Sequence, residues 1–114
     1  MGNPQRLPSK YRAMWLFALF DLPVQTKEQR KSANGFRNDL VRNGFSRIQY
    51  SIYAQYCTSG EAAEAKRSRI RSEIPSQGQV RLMELTDNQF GKMEVFTGKT
   101  IVPPENAPTQ LEFF

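Results

Sequence analysis

The sequence predicts an α+β domain with the element order βαββαβ and an extra strand near its C-terminus. Three observations carry this. An unbroken apolar run, Met14–Phe20, stops at Asp21-Leu22-Pro23. Two stretches of helical periodicity are each opened by a capping box, and a period-two stretch lies between them.

The run Met14-Trp15-Leu16-Phe17-Ala18-Leu19-Phe20 is short, rich in aromatics and followed by proline, as expected of a strand buried on both faces. Helices cover one face of an open sheet, so the other needs a partner, and a second copy of the chain is the economical one. Thr26-Lys27-Glu28-Gln29 reads as a capping box, with Ala33, Phe36 and Leu40 as the apolar stripe of the helix it opens. Asn43-Gly44 ends that helix, since glycine accepts the left-handed C-cap conformation.

From Ile48 the period changes to two. Ile48, Tyr50, Ile52, Ala54 and Tyr56 share one face; Arg47, Gln49, Ser51, Tyr53 and Gln55 share the other. The stretch is long for one strand, which predicts a bend near Tyr50-Ser51 or two short strands. Thr58-Ser59-Gly60-Glu61 reads as a second capping box, opening a helix through Ile70 that stops before Pro75. Its solvent side is expected to carry Lys66, Arg67, Arg69 and Arg71. Gln77-Gly78 turns into a strand over Val80–Thr86, and a last weak strand is expected over Lys92–Thr97. This is the ferredoxin-like plan with one strand added. The expected boundaries are an N-terminal arm over 1–12, the ferredoxin-like domain over 13–98 and a tail over 99–114, the tail ending in the apolar Leu111, Phe113 and Phe114.

Composition narrows the function. A chain of 114 residues makes one domain with a modest core. The formal charge of +5 favours a polyanionic partner, nucleic acid before membrane. The single Cys57 fits a reducing cytoplasm, and Met14–Phe20 is too short to cross a bilayer, so a cytoplasmic protein away from membranes is expected. With no histidine, Ser-His and Cys-His nucleophiles and histidine zinc sites are excluded. Catalysis would fall to carboxylates, Lys, Tyr or a metal held by oxygen.

Asp21 stands where the buried strand meets its loop. It serves either as a turn-forming residue before Leu-Pro or as a metal ligand. If two sheets meet across a twofold axis, two Asp21 carboxylates plus water make an oxygen site suited to Mg²⁺ or Mn²⁺. Such an ion activates water and stabilises charge on a phosphoryl group. The basic residues Lys27, Arg30, Lys31 and Arg37 on the first helix, and Lys66, Arg67, Arg69 and Arg71 on the second, are either phosphate contacts or solvated faces. Tyr50, Tyr53 and Tyr56 either stack on bases or pack within the strand, the latter being the expected use. No Gly-rich phosphate loop or Cys-His metal motif is present.

Several segments in fixed order resemble a known family. They are Phe20-Asp21-Leu22-Pro23, Arg42-Asn43-Gly44-Phe45, Gln49-Tyr50-Ser51-Ile52-Tyr53, Gly78-Gln79-Val80-Arg81-Leu82 and Gln89-Phe90. Together, over roughly Met14 to Gly98, they are similar to the second CRISPR-associated protein, a small ferredoxin-like family of antiviral defense, and most to its type II members. The resemblance implies a homodimer with sheets packed face to face and the final strand joining the neighbour's sheet. It implies a bridge between dimers of the catalytic integrase subunit, with double-stranded spacer DNA lying along it. Many members are also described as metal-dependent endonucleases of single-stranded RNA or double-stranded DNA, and the family's metal aspartate corresponds to Asp21. The expected function is therefore a structural, duplex-binding subunit of spacer acquisition. The alternatives are a Mg²⁺-dependent endonuclease acting through Asp21 and an RNA-binding ferredoxin-like module.

Overall fold

The computed structural model describes residues 12–108. The arm before residue 12 and the terminal Leu111, Phe113 and Phe114 lie outside the described residues. The elements are β1 (Met14–Asp21), α1 (Lys27–Arg42), β2 (Ser46–Gln49), β3 (Ile52–Cys57), α2 (Gly60–Arg71), β4 (Gln79–Thr86), α3 (Asp87–Gly91), β5 (Val95–Thr97) and β6 (Thr100–Val102). The first six follow the βαββαβ order. Their strands form one antiparallel sheet in the order β2-β3-β1-β4. β1 is central, which explains its apolar composition: four consecutive residues, Trp15 to Ala18, are buried.

The alternation along β1 sorts two cores. Leu16, Ala18 and Phe20 face the helices and pack with Ala33, Phe36 and Leu40 of α1 and Ala63 and Ile70 of α2. Trp15 and Phe17 face the other way, with Ala54 and Phe90. Both long helices thus cover one face, as the stripe in α1 requires. Thr26 caps α1 through a hydroxyl that accepts from the Gln29 N–H at 3.1 Å, and Gln29 Oε1 accepts from the Thr26 N–H at 3.0 Å. α1 ends at Asn43, followed by Gly44 at φ 92°.

The structure departs from the sequence reading in five places. The cap of α2 is Ser59, whose hydroxyl accepts from the Ala62 N–H, rather than Thr58. The long period-two stretch is two strands, one of the two outcomes expected for it, and the turn between them at Tyr50-Ser51 gives Ser51 a left-handed φ of 61°. That turn ends the alternation, so Tyr50 does not pack within the strand and is 71% exposed. Thr86-Asp87-Asn88-Gln89 is a further capping box and opens the short helix α3 where a connection was expected. Lys92 caps α3, which delays the last strand to Val95.

The fifth departure concerns the second face of the sheet. It is partly covered by the chain itself. Phe90 stacks on Trp15 with ring centroids 3.9 Å apart, and the Trp15 indole N–H donates to Asp87 Oδ1 at 2.9 Å. Leu19, Ile48, Ile52 and Tyr56 from the sheet, with Leu85, Met93 and Ala107, pack against this cluster. β5 and β6 pair with each other as a hairpin apart from the main sheet. Its side chains Phe96 and Ile101 are exposed, as is Met83 of β4. Met83 is paired with Phe17 in the register and therefore lies on this second face.

Candidate functional site

Asp21 is the last residue of β1 and is exposed. The burial of Trp15 to Ala18 carries the chain through the core, and Asp21 is where it emerges. Opposite it in the register is Gln79 of β4. Just before Gln79, Gly78 adopts φ 90°, and a Cβ there would stand 2.6 Å from the Asp21 carbonyl oxygen. Glycine at 78 is what lets the loop before β4 close against the end of β1.

Among the described residues, no side chain pairs with or hydrogen-bonds to the Asp21 carboxylate. Nor does any group of three or more His, Cys, Asp or Glu side chains converge among them as a metal cage. A lone exposed carboxylate would supply Mg²⁺ a single oxygen ligand, the rest of the shell falling to water and substrate phosphate.

The basic residues fall into distinct groups. Lys27 and Lys31 are exposed one turn apart on α1 and share a face. Arg30 is exposed, but its Nη1 donates to the carbonyls of Val24 and Gln25 at 3.1 Å each, fastening the loop that follows Pro23. Arg37 donates to Asn34 Oδ1, and its guanidinium carbon lies 6.0 Å from the ring centroids of both Phe20 and Tyr50. On α2, Lys66 and Arg67 are half-buried rather than on an open solvent side. Arg67 forms an ion pair with Glu84 of β4 at 2.8 Å and a longer one with Glu64 at 3.8 Å. Glu64 also lies 4.0 Å from Arg71. Much of the α2 charge is thus spent on local carboxylates. The Asp39 carboxylate forms an ion pair with Arg42.

The structure therefore brings together Arg37 of α1, the end of β1 and the β2–β3 turn, while the start of α1 is fastened to the loop after Pro23. It keeps α2 apart, tied to β4. Arg47 went unremarked as a site candidate in the sequence; its guanidinium carbon lies 5.7 Å from the Tyr50 ring centroid. The signal was its place three residues before an aromatic turn, which period-two counting assigned to a strand face. A cleft of about 370 Å³ lies between the loop after β1 and the start of α1, lined by Leu22, Pro23, Thr26, Gln29, Pro75 and Gln77 among others, with Asp21 outside its lining.

Residues 14–93 match the family described as CRISPR associated protein Cas2, a span covering β1 through α3. The chain belongs to the Cas2 family. It is 44% identical over 106 residues to a CRISPR-associated endoribonuclease Cas2 of Flavobacterium psychrophilum, covering 93% of this chain and 92% of the relative. With the protein of the same description from Parvibaculum lavamentivorans it shares 45% identity over 101 residues, 89% of this chain and all of the relative. A third, from Streptococcus mutans, is 30% identical over 100 residues, 88% of this chain and 92% of that one. Membership in the Cas2 family places the chain among CRISPR-associated proteins. No helix among the described residues is long and apolar enough to cross a membrane.

Proposed function

We propose that this Cas2-family chain acts as a cytoplasmic homodimer in CRISPR spacer acquisition, bridging the catalytic integrase subunits and holding the spacer duplex against its cationic helix surface. The observation that carries this reading is the division of labour across one sheet. One face is closed by two helices whose outer residues include Lys27 and Lys31. The other is apolar and only partly closed by α3, with Met83 exposed beside Phe17. Burying the second face in a partner of the same kind leaves the basic helices outward, where phosphate contacts supply affinity without reading sequence. The outer edge of β4 in the four-stranded sheet suits strand addition from a second copy.

The test is duplex binding as a function of salt. Charge reversal of Lys27 and Lys31 together is expected to weaken binding and to lower the salt slope by about 0.9 for each phosphate no longer neutralised. Asp21→Ala is expected to leave duplex affinity unchanged. Native affinity and slope in the reversed variant would contradict the reading.

A second reading is favoured by the exposed, unpaired Asp21 carboxylate and by the description of the relatives as endoribonucleases. In this reading Asp21 and its copy across the twofold axis hold Mg²⁺ or Mn²⁺. When bound, the ion supplies positive charge against the phosphodiester and acidifies water. Asp21→Asn is expected to abolish Mg²⁺-dependent cleavage of single-stranded RNA by rigorously purified protein. Undiminished cleavage by that variant excludes the assignment.

A further inference from the structure

Tyr50 is the one tyrosine of the β2–β3 region that the packing leaves open. Tyr53 is buried against Phe20, and Tyr56 is half-buried edge-on against Trp15. Tyr50 is 71% exposed at the turn, held out by the left-handed Ser51. Two guanidinium groups flank it, Arg37 from α1 at 6.0 Å and Arg47 from β2 at 5.7 Å from the ring centroid. Both distances lie within the roughly 6 Å reach of a cation–π contact, and with most of its surface still open the ring is accompanied but not covered. An exposed aromatic ring costs free energy in water, and the two guanidinium groups drawn to it repel one another. A planar anionic ligand offsets both.

We infer that Tyr50, Arg37 and Arg47 form a subsite for one unpaired nucleotide, the ring stacking on the base and the guanidinium groups taking the flanking phosphates. An aromatic face accepts any base, and arginine is the side chain best shaped for phosphate oxygens. A base inside a duplex has both faces stacked on its neighbours, so the subsite selects single strands or unpaired ends over duplex. Arg37 is steadied by Asn34 and by the Phe20 ring, which reduces the ordering needed on binding.

The subsite also lies near Asp21. The Phe20 N–H donates to the Ser51 carbonyl at 3.1 Å, and Asp21 and Tyr50 are the outer neighbours of that pair, so their Cα atoms are no more than about 15 Å apart. The inference rests on the proposal that this chain binds nucleic acid. It adds where an unpaired segment would be held and by what chemistry.

The test compares the full-length native chain with Tyr50→Ala, Tyr50→Phe and the Arg37→Gln/Arg47→Gln double variant. Probes are a short single-stranded RNA, the same sequence as DNA, and a blunt DNA duplex, with a fluorescent purine analogue in each to report stacking. Thermal melts check that every variant is folded. Tyr50→Ala is expected to weaken single-strand binding about 5- to 150-fold and to abolish the stacking signal. Tyr50→Phe should keep both. The arginine variant should lower the single-strand salt slope by about 0.7 for each phosphate it no longer neutralises. Duplex affinity should not change in Tyr50→Ala. Equal losses on single strand and duplex, or no loss in Tyr50→Ala, would overturn the inference. Native binding to duplex with none to single strands would overturn it while leaving the duplex-binding proposal intact. A loss confined to RNA or to DNA assigns the source of the nucleotide.

Discussion

Truncating Phe90 to alanine tests how the second face of the sheet is built. Phe90 is 1% exposed, stacks on Trp15 at 3.9 Å and 9°, and touches Phe17 at 5.8 Å. Phe→Ala in a core costs about 3–5 kcal/mol through forfeited transfer free energy and the cavity left behind. The lower end applies here, because the five-residue α3 can settle partly into the space. For a domain of this size, about 3 kcal/mol lowers Tm by about 12–24 °C. Trp15 is the only tryptophan, so its emission reads the same packing, and removal of the stacked ring is expected to shift it to the red. Circular dichroism melts and fluorescence spectra of Phe90→Ala and Phe90→Leu make the assay, the leucine variant retaining most of the stability. A Tm drop under about 4 °C with unchanged emission would refute the reasoning, since it would mean that Phe90 does not seat on Trp15 in solution.

Two further outcomes follow from the same structure. Arg67→Met and Glu84→Gln are each expected to destabilise the fold by about 1–2 kcal/mol. This is below the usual cost of breaking a buried pair because both side chains keep about a quarter of their exposure. The double variant should recover part of that loss in a urea-unfolding cycle, and additive losses would refute the pairing. Burial pushes the Cys57 thiol above its ordinary value, with Lys66 opposing and Glu84 adding, and burial followed by Asp87 pushes Tyr56 the same way. Each contribution is present below the group's unfolded value and lost as pH rises through its raised folded one, so stability should fall on the alkaline side. Urea midpoints of the native chain and Cys57→Ala across that range check it: the native midpoint should fall more steeply, and parallel curves would contradict the role given to Cys57.

Much of the fold is legible in the residues because its signals are local. The apolar run of β1, the Thr26 box and the stripe Ala33, Phe36, Leu40 each specify one element and one buried face. Thr86–Gln89 carries the same box, but α3 is too short for periodicity to register, so the cap was its only mark. Tyr50 eluded alternation for a different reason. The length of the stretch marks a break near Tyr50-Ser51, but nothing in a serine announces the left-handed conformation that leaves the tyrosine outside the strand. At the site, Asp21 was legible as a carboxylate at the end of a buried run. The state of each cation was not. Lys27 and Lys31 remain open while Arg67 is held by Glu84, and that difference depends on a strand far along the chain.

Pairing of two copies through the sheet face opposite α1 and α2 is what the proposed function depends on most. Sedimentation equilibrium of the native chain alone and with duplex DNA measures this directly. The expected protein mass is twice the 13.1 kDa of one chain, with the dimer taken intact onto the duplex and Met83→Glu shifting it toward monomer. A stable monomer that leaves the duplex free would contradict it.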